Sequence, residues 1–196
     1  MKKIILASKS PRRADLLNQI GLNFEIIPSK INEKQYISQD PEESVKKIAL
    51  MKANEVAKKI KNGIVIGADT IVILDGEVIG KPKDERDAFK ILKKISNKEH
   101  VVITGLAVVD ASTKKTFVET VKTLVKFKKI TDEEIKDFID TGEPFDKAGG
   151  YGIMNFASIF VEKVNGCFYN VVGLPLSKLT EMLKHFGINI LKEQKR

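Results

Sequence analysis

The stretch of sequence that decides the fold is Ile64-Val65-Ile66-Gly67-Ala68-Asp69-Thr70-Ile71-Val72-Ile73-Leu74-Asp75-Gly76. Its apolar runs, residues 64–67 and 71–74, predict two short strands separated by Ala68-Asp69-Thr70. Asp75-Gly76 predicts a hairpin after the second run, because such two-residue turns favour residues that tolerate positive φ. The region therefore joins a buried strand to an antiparallel pair.

The sequence before this stretch alternates strands with helices. Residues 4–7 and 24–27 predict strands, and the helix between them is capped by Ser10, begins at Pro11 and ends at Gly21. A longer helix begins at Asp40-Pro41, with an apolar stripe from Val45 to Ile60. This alternation is typical of an α/β sheet.

The sequence after the hairpin favours antiparallel pairing. A helix over residues 88–95 is followed by β-rich runs at 101–109 and 117–127, and Thr131 to Glu134 predicts a capping box for the next helix. The glycine-rich residues 142–173 predict loops and a short strand, and the last helix ends at Gly187 before a charged tail. The whole pattern predicts a mixed α/β sheet with a cleft, in a single domain spanning residues 1–196 without a linker.

Composition excludes several classes of protein. With 42% hydrophobic and 31% charged residues, the chain of 196 residues matches a globular protein and not a disordered or collagen-like one. No apolar run approaches the roughly 18 residues of a membrane helix, and the apolar start is too short for a signal peptide. Cys167 is the single cysteine, which excludes a disulfide framework and a thiolate metal cluster. We expect a cytoplasmic protein.

The net charge of +8 raises the question of nucleic-acid binding. Only Arg12, Arg13, Arg86 and Arg196 are arginines, and the 30 lysines are spread along the chain among acidic residues. No basic stripe with interleaved aromatic residues is present. The pattern therefore favours a solvated lysine-rich surface over a nucleic-acid interface.

The segment Ser8-Lys9-Ser10-Pro11-Arg12-Arg13 is the first candidate site. It lies between a strand and a helix N-terminus, where free N–H groups bind anions readily. Two hydroxyl groups and two arginines there suit a phosphate. The alternative is a capped helix with solvated arginines.

Three single residues are further candidates. Lys52 lies on the apolar face of its helix, so its ammonium either reaches the protein edge or faces a counter-charge in a cleft. Asp69 follows a buried strand, where a carboxylate can hold Mg²⁺ or accept a proton, or else close an Asx turn. Lys81, between Gly80 and Pro82, is either a rigidly placed cation or a surface lysine.

The segment from Gly142 to Gly152 combines glycines with Glu143, Asp146 and Lys147. Glycines let a backbone approach a ligand, although a structural glycine-rich turn has the same composition. His100 and His185 lack metal-ligand spacing, and no serine occupies a nucleophile elbow. The remaining chemistry suits metal-assisted attack by water on a phosphoanhydride.

Together these motifs resemble the Maf family of nucleoside triphosphate pyrophosphatases. They occur in family order and span nearly the whole chain: Leu6-Ala7-Ser8-Lys9-Ser10-Pro11-Arg12-Arg13, Gly67-Ala68-Asp69-Thr70, Gly80-Lys81-Pro82, Glu143-Pro144-Phe145-Asp146-Lys147-Ala148-Gly149-Gly150-Tyr151-Gly152 and Asn170-Val171-Val172-Gly173-Leu174-Pro175-Leu176. The resemblance implies hydrolysis of a nucleoside triphosphate to the monophosphate and pyrophosphate. It implies an elongated, twisted mixed α/β sheet flanked by helices, in two lobes with the active-site cleft between them, as in Maf and ITPase-like folds.

The resemblance also implies the roles of individual residues. The catalytic set is Asp69, Lys81 and Glu33, with Asp69 as proton acceptor. Glu33 and Asp69 are the implied ligands of a divalent cation, Mg²⁺ or Mn²⁺. The implied substrate-binding residues are Ser8, Ser10, Arg12, Arg13, Lys52, Thr70, Asp146, Lys147 and Met154. The implied partner is a small-molecule nucleoside triphosphate, without nucleic acid or membrane, and a homodimer is compatible with the family.

Arg12, Thr70 and a glutamine after Tyr-Gly-Ile mark the family branch similar to dTTP/UTP pyrophosphatases. Here Met154 replaces that glutamine and cannot supply its paired amide donor and acceptor, although Asn155 follows directly. The resemblance implies dTTP and UTP as substrates, with other or modified pyrimidine nucleotides alongside. The alternatives are the 7-methyl-GTP branch of the family and a non-catalytic nucleotide-binding regulator of cell division.

Overall fold

The structure, a computed structural model, describes residues 2–193 and has the mixed α/β architecture predicted from the sequence. The strands are β1 (Ile4–Leu6), β2 (Glu25–Ile26), β3 (Ile64–Leu74), β4 (Glu77–Ile79), β5 (Glu99–Asp110), β6 (Thr116–Phe127) and β7 (Val161–Asn165). The helices are α1 (Pro11–Gln19), α2 (Pro41–Ala57), α3 (Glu85–Ile95), α4 (Asp132–Asp140), α5 (Phe168–Val172), α6 (Leu176–Lys184) and α7 (Ile190–Glu193). Short 3₁₀ helices cover Glu33–Tyr36, Glu143–Asp146, Ala148–Gly150 and Phe156–Phe160.

The strands form one mixed sheet in the order β2-β1-β3-β5-β6-β7, with β4 paired to β3. β1 runs parallel to both β2 and β3, whereas the β3–β4 and β6–β7 pairs are antiparallel. The described chain forms two compact units. Unit 1 contains the described residues up to Asp69, Thr104–Val121 and the described residues from Gly173 onward, and unit 2 contains Thr70–Ile103 and Lys122–Val172.

Unit 1 is held together by close packing of α2 on two strands. A Cβ atom at Gly67 of β3 would lie 2.2 Å from the Ala49 carbonyl oxygen, and one at Gly105 of β5 would lie 2.3 Å from that of Val45. Only a residue without a side chain permits backbones to approach this closely. Small residues of α2, among them Ala49 and Ala53, are fully buried in the same core.

Unit 2 combines the predicted hairpin with an aromatic core. Asp75 and Gly76 both have positive φ, and β3 and β4 pair antiparallel around them. Thr131 and Glu134 form the predicted capping box at the start of α4. Phe127 is fully buried, and its ring contacts those of His100, Tyr151 and Phe160.

Four local predictions are corrected by the structure. The runs 64–67 and 71–74 form one continuous strand, β3, and the side chain of Ser10 makes no capping hydrogen bond at α1. Residues 142–173 contain 3₁₀ helices and α5 besides the short strand. Part of the predicted charged tail forms α7, and the rest of it, with Arg196, lies outside the described residues. Within residues 2–193, no helix has the length and apolar character needed to span a membrane.

Candidate active site

The centre of the candidate site is an ammonium group that contacts two carboxylates in unit 1. Lys52 Nζ lies 2.8 Å from Asp69 Oδ1 and 2.8 Å from Glu33 Oε1. The Lys52 side chain is 11% exposed and that of Asp69 is 13% exposed, whereas Glu33 is 54% exposed. We call these three residues the carboxylate–lysine cluster. Of the two interpretations of Lys52, the structure shows the one with counter-charges.

The local sequence explains how α2 directs Lys52 toward Asp69. Lys52 lies in α2 next to Ala53, whose backbone nitrogen would be 2.9 Å from a Cβ at Gly67. Because Gly67 is two positions before Asp69 in an extended strand, the Asp69 side chain lies on the face of β3 on which α2 packs against Gly67. Lys52 Nζ also approaches the Ala68 carbonyl oxygen at 3.5 Å.

Asp69 lies inside β3 and not at the end of a strand as predicted. The β-branched residues Ile71, Val72 and Ile73 continue the extended conformation on the far side of Asp69 and Thr70. The carboxylate is therefore placed by the rigid middle of a strand, and not by a loop.

Arg13 is buried, and its guanidinium donates hydrogen bonds to two acceptors within the protein. Arg13 Nε donates to the Gly173 carbonyl oxygen at 2.8 Å, and Nη1 donates to Ser8 Oγ at 3.2 Å. Burial lowers the pKa of Arg13, while the Asp69 and Glu33 carboxylates act to raise it. These charges therefore interact within unit 1, and the interpretation of Arg13 as a solvated arginine is wrong.

The rest of the predicted phosphate segment surrounds Ser8. The Ser8 hydroxyl, which is nearly inaccessible, also accepts a hydrogen bond of 3.1 Å from the Ser10 backbone N–H. Ser10 occupies the N-cap position of α1, and Arg12 in the first turn is half-buried. The Arg12 guanidinium also acts to lower the pKa of Arg13, although less than burial does, so the two guanidinium groups interact electrostatically.

Unit 2 contains the other predicted residues. Lys147, 8% exposed, donates hydrogen bonds to the Glu143 carbonyl oxygen at 2.7 Å and to Asp146 Oδ1 at 2.5 Å. Its side chain packs so closely on Gly152 that a Cβ there would lie 2.8 Å from Lys147 Cε. The glycine-rich segment is therefore shaped around a buried lysine.

The remaining predicted residues of unit 2 lie at its surface or close to it. Thr70 is half-buried in β3, whereas Lys81 and Met154 are exposed. The loop that carries Lys81 is tied to the glycine-rich segment, because the Gly149 N–H donates a 3.0 Å hydrogen bond to the Gly80 carbonyl oxygen.

Two residues of the quoted motifs have structural roles that sequence reasoning did not assign. The Glu143 carboxylate is buried, and its Oε2 accepts a 2.9 Å hydrogen bond from the Phe156 backbone N–H. Asn170 is fully buried and donates to the Val102 carbonyl oxygen and to Thr123 Oγ1, both at 3.0 Å. A polar residue at a motif position flanked by apolar residues was the available signal for Asn170.

A groove of about 400 Å³ also lies in unit 2, along α3 and α4. Phe89 and Ile139 contribute apolar surface, and Arg86, Lys90 and Lys136 are among the charged residues around them. None of the residues predicted for the active site lines this groove. The chemistry is therefore better sought in the carboxylate–lysine cluster than in this groove.

His100 contacts the glycine-rich segment through Tyr151. It is 1% exposed, and its Nε2 lies 2.7 Å from the hydroxyl of Tyr151. Burial lowers the pKa of His100 from 6.5 to about 4. The imidazole is therefore neutral at pH 7, in agreement with its aromatic surroundings of Phe127 and Tyr151.

This burial predicts a pH dependence of stability. Between pH 6.5 and about 4 the unfolded chain binds a proton at His100 and the folded chain does not. As the pH is lowered through that window, His100 should therefore reduce the free energy of unfolding by about 1.4 kcal/mol per pH unit. We expect urea unfolding of His100→Gln, compared with the unmodified protein from pH 7.5 to 4, to lack this contribution. Parallel pH profiles of the two proteins would contradict it.

The side chains that could hold a metal ion at the candidate site are two carboxylates. Within residues 2–193, no group of three or more His, Cys, Asp and Glu side chains is arranged to hold a metal ion. Glu33 and Asp69 nevertheless direct oxygens at one positive charge, that of Lys52. Two carboxylates, completed by water and phosphate oxygens, are a donor set typical of Mg²⁺ sites that handle nucleotides.

The fold and the cluster together define an α/β protein whose site combines cationic side chains with two carboxylates. The family model for Maf-like protein matches residues 3–186, and the chain belongs to the Maf-like protein family.

Similar proteins carry names that state an activity. A protein of Caldicellulosiruptor saccharolyticus named dTTP/UTP pyrophosphatase is 48% identical over 98% of both chains. One of Alkaliphilus metalliredigens with the same name is 50% identical over 97% of this chain and 100% of the relative. A solved HAM1 protein from Coxiella burnetii aligns with 65% of this chain and 73% of its own, with 15% identity and a TM-score of 0.43.

Proposed function

We propose that this protein hydrolyses dTTP and UTP to the monophosphate and pyrophosphate. The observation that carries the proposal is the contact of Lys52 with both Asp69 and Glu33, within electrostatic range of Arg13. The substrates are proposed from the full-length relatives named dTTP/UTP pyrophosphatase. Such a reaction needs positive charge for the triphosphate and a base for water, and the cluster contains both.

Asp69 acts as the general base in this proposal. It accepts a proton from the water that attacks the α-phosphorus, and the pyrophosphate group leaves. The position of Asp69 in β3, 13% exposed, keeps the carboxylate fixed while still open to water. Arg12, Arg13, Lys52 and Lys81 neutralise the phosphate oxygens on which charge develops.

Glu33 and Asp69 would hold a divalent cation, Mg²⁺ or Mn²⁺. When bound, that cation supplies charge neutralisation and orientation of the triphosphate. Ser8 contributes indirectly, since its hydroxyl accepts hydrogen bonds from Arg13 and from the Ser10 N–H. Ser10, at the start of α1, offers a hydroxyl to a phosphate oxygen beside the helix N-terminus.

Thr70, Asp146, Lys147 and Met154 are proposed to bind the nucleoside part of the substrate. Their support is the resemblance of the chain to its family, since Thr70, Asp146 and Lys147 stand in the quoted motifs and Met154 stands where the dTTP/UTP branch has glutamine. Met154, which is 54% exposed, offers an apolar surface in place of a paired amide. We therefore expect the discrimination between bases to be weaker here than an amide at this position would provide.

The test is a panel of nucleoside triphosphates with Mg²⁺ or Mn²⁺, in which released pyrophosphate is measured. We expect dTTP and UTP to be the fastest substrates. Preference for 7-methyl-GTP would assign the other family branch, and binding of dTTP without pyrophosphate release would assign a regulator. Either result would overturn the proposal.

We also propose a cytoplasmic protein whose partner is the small-molecule nucleotide. Retention on DNA that falls steeply with salt would indicate a nucleic-acid partner instead. A homodimer stays a prediction from the resemblance, and sedimentation would measure it.

A further inference from the structure

Lys52 lies between Glu33 and Asp69, the two carboxylates that are proposed to hold a divalent cation. Its Nζ is 2.8 Å from Glu33 Oε1 and 2.8 Å from Asp69 Oδ1, and its side chain is 11% exposed. An ammonium and a divalent cation repel each other and compete for the same oxygens. Because like charges this close repel each other, the binding of either cation weakens the binding of the other.

The two groups differ in their freedom to move. The backbone of α2 beside Lys52 is fixed, because Ala49 and Ala53 pack directly against Gly67 of β3. Asp69 is likewise fixed by its position in β3. The Lys52 side chain, in contrast, has a flexible four-carbon stem. Its ammonium can therefore move away from the two carboxylates without any change in the fold.

We propose that Lys52 serves as the resident cation of the unloaded site and gives up its place between Glu33 and Asp69 when a divalent cation binds. The released ammonium then reaches a phosphate oxygen of the substrate. This inference rests on the proposed function for the identity of the anion that Lys52 meets, but the exchange itself is a property of the protein without nucleotide.

Other roles for Lys52 predict a different sign in a metal-binding experiment. If Lys52 only bound phosphate, its removal would leave metal affinity unchanged. If Lys52 only oriented the two carboxylates, its removal would weaken metal binding. Of these three roles, only competition predicts that removal of the ammonium tightens metal binding.

The experiment measures Mn²⁺ binding to the nucleotide-free protein, by the electron paramagnetic resonance signal of free Mn²⁺. We expect Lys52→Met to bind Mn²⁺ at least about tenfold more tightly, the size of effect that one charge within 4–6 Å has on the proton affinity of a carboxylate. Lys52→Arg, which keeps the charge, should bind Mn²⁺ as weakly as the unmodified protein. Lys52→Gln provides a second neutral variant if Lys52→Met does not fold.

Lys46→Met is the matched control. Lys46 lies in the same helix and pairs with Glu43 at 2.8 Å, so this variant loses the same charge without touching the cluster. Its Mn²⁺ affinity should be unchanged. Adding Asp69→Asn to Lys52→Met should abolish the tight binding, which locates it at the cluster.

Unchanged or weaker Mn²⁺ binding in the neutral Lys52 variants, or tight binding that survives Asp69→Asn, would overturn the inference. The pyrophosphate assay of the unmodified protein decides the proposed function separately. If Lys52→Met binds Mn²⁺ more tightly and the unmodified protein releases no pyrophosphate, the exchange is supported and the proposed function is overturned.

Discussion

We expect Asp69→Asn to lower kcat for dTTP hydrolysis by at least about 10²-fold, the scale of the general base that Asp69 is proposed to be. Asparagine has the same shape as aspartate and keeps an acceptor oxygen for Lys52, but its amide cannot take a proton from water. Because Lys52 also pairs with Glu33, the ammonium retains a partner in the variant. The loss should therefore appear in kcat, measured as pyrophosphate released at saturating dTTP.

Asp15→Asn is the control for this prediction. Asp15 is an exposed residue of α1, also in unit 1, and the variant makes the same chemical change away from the cluster. It should retain full activity, and circular dichroism should show both variants folded. Full kcat in Asp69→Asn would remove Asp69 from the role of base.

Gly67→Ala should destabilise the protein by about 3 kcal/mol or more, at the upper end of the cost of overpacking a core. The new Cβ would lie 2.2 Å from the Ala49 carbonyl oxygen and 2.9 Å from the Ala53 nitrogen. Both are backbone atoms of α2, so the helix itself must move away from β3. We expect a fall in Tm of roughly 6–12 °C for a chain of this size.

Gly80→Ala is the matched control, since no heavy atom lies within 4 Å of a Cβ at Gly80. Its Tm should stay close to that of the unmodified protein. The two Tm values are measured by thermal unfolding under identical conditions. A Tm for Gly67→Ala that equals the control would mean that α2 and β3 are not in close contact.

Much of the fold could be predicted because its signals are local. As the sequence predicts, α1 begins at Pro11, Asp40 caps α2, and the Thr131 capping box and the Asp75-Gly76 hairpin form. Each of these depends on hydrogen bonds or φ angles within a few residues. The local pattern failed at Asp69, where polar residues suggested a break that β3 does not have.

The candidate site could be predicted in its residues but not in their contacts. Sequence reasoning selected Lys52, Asp69 and Arg13, and left two interpretations open for each. The structure shows counter-charges at Lys52 and burial of Arg13, through contacts between residues far apart in the chain, such as Arg13 with the Gly173 carbonyl group, 160 positions away. It also shows a buried carboxylate at Glu143 that had no assigned role.

The sequence by itself determined most of the order of strands and helices, the caps of α2 and α4, the Asp75-Gly76 turn, and the motifs that resemble one family. Only the tertiary structure decided that an ammonium lies between two carboxylates and that one arginine of an adjacent pair is buried. The physical reason is range. Capping and turn formation act between neighbours in the chain, whereas the partners of Lys52 are chosen by the packing of α2 on β3 through Gly67.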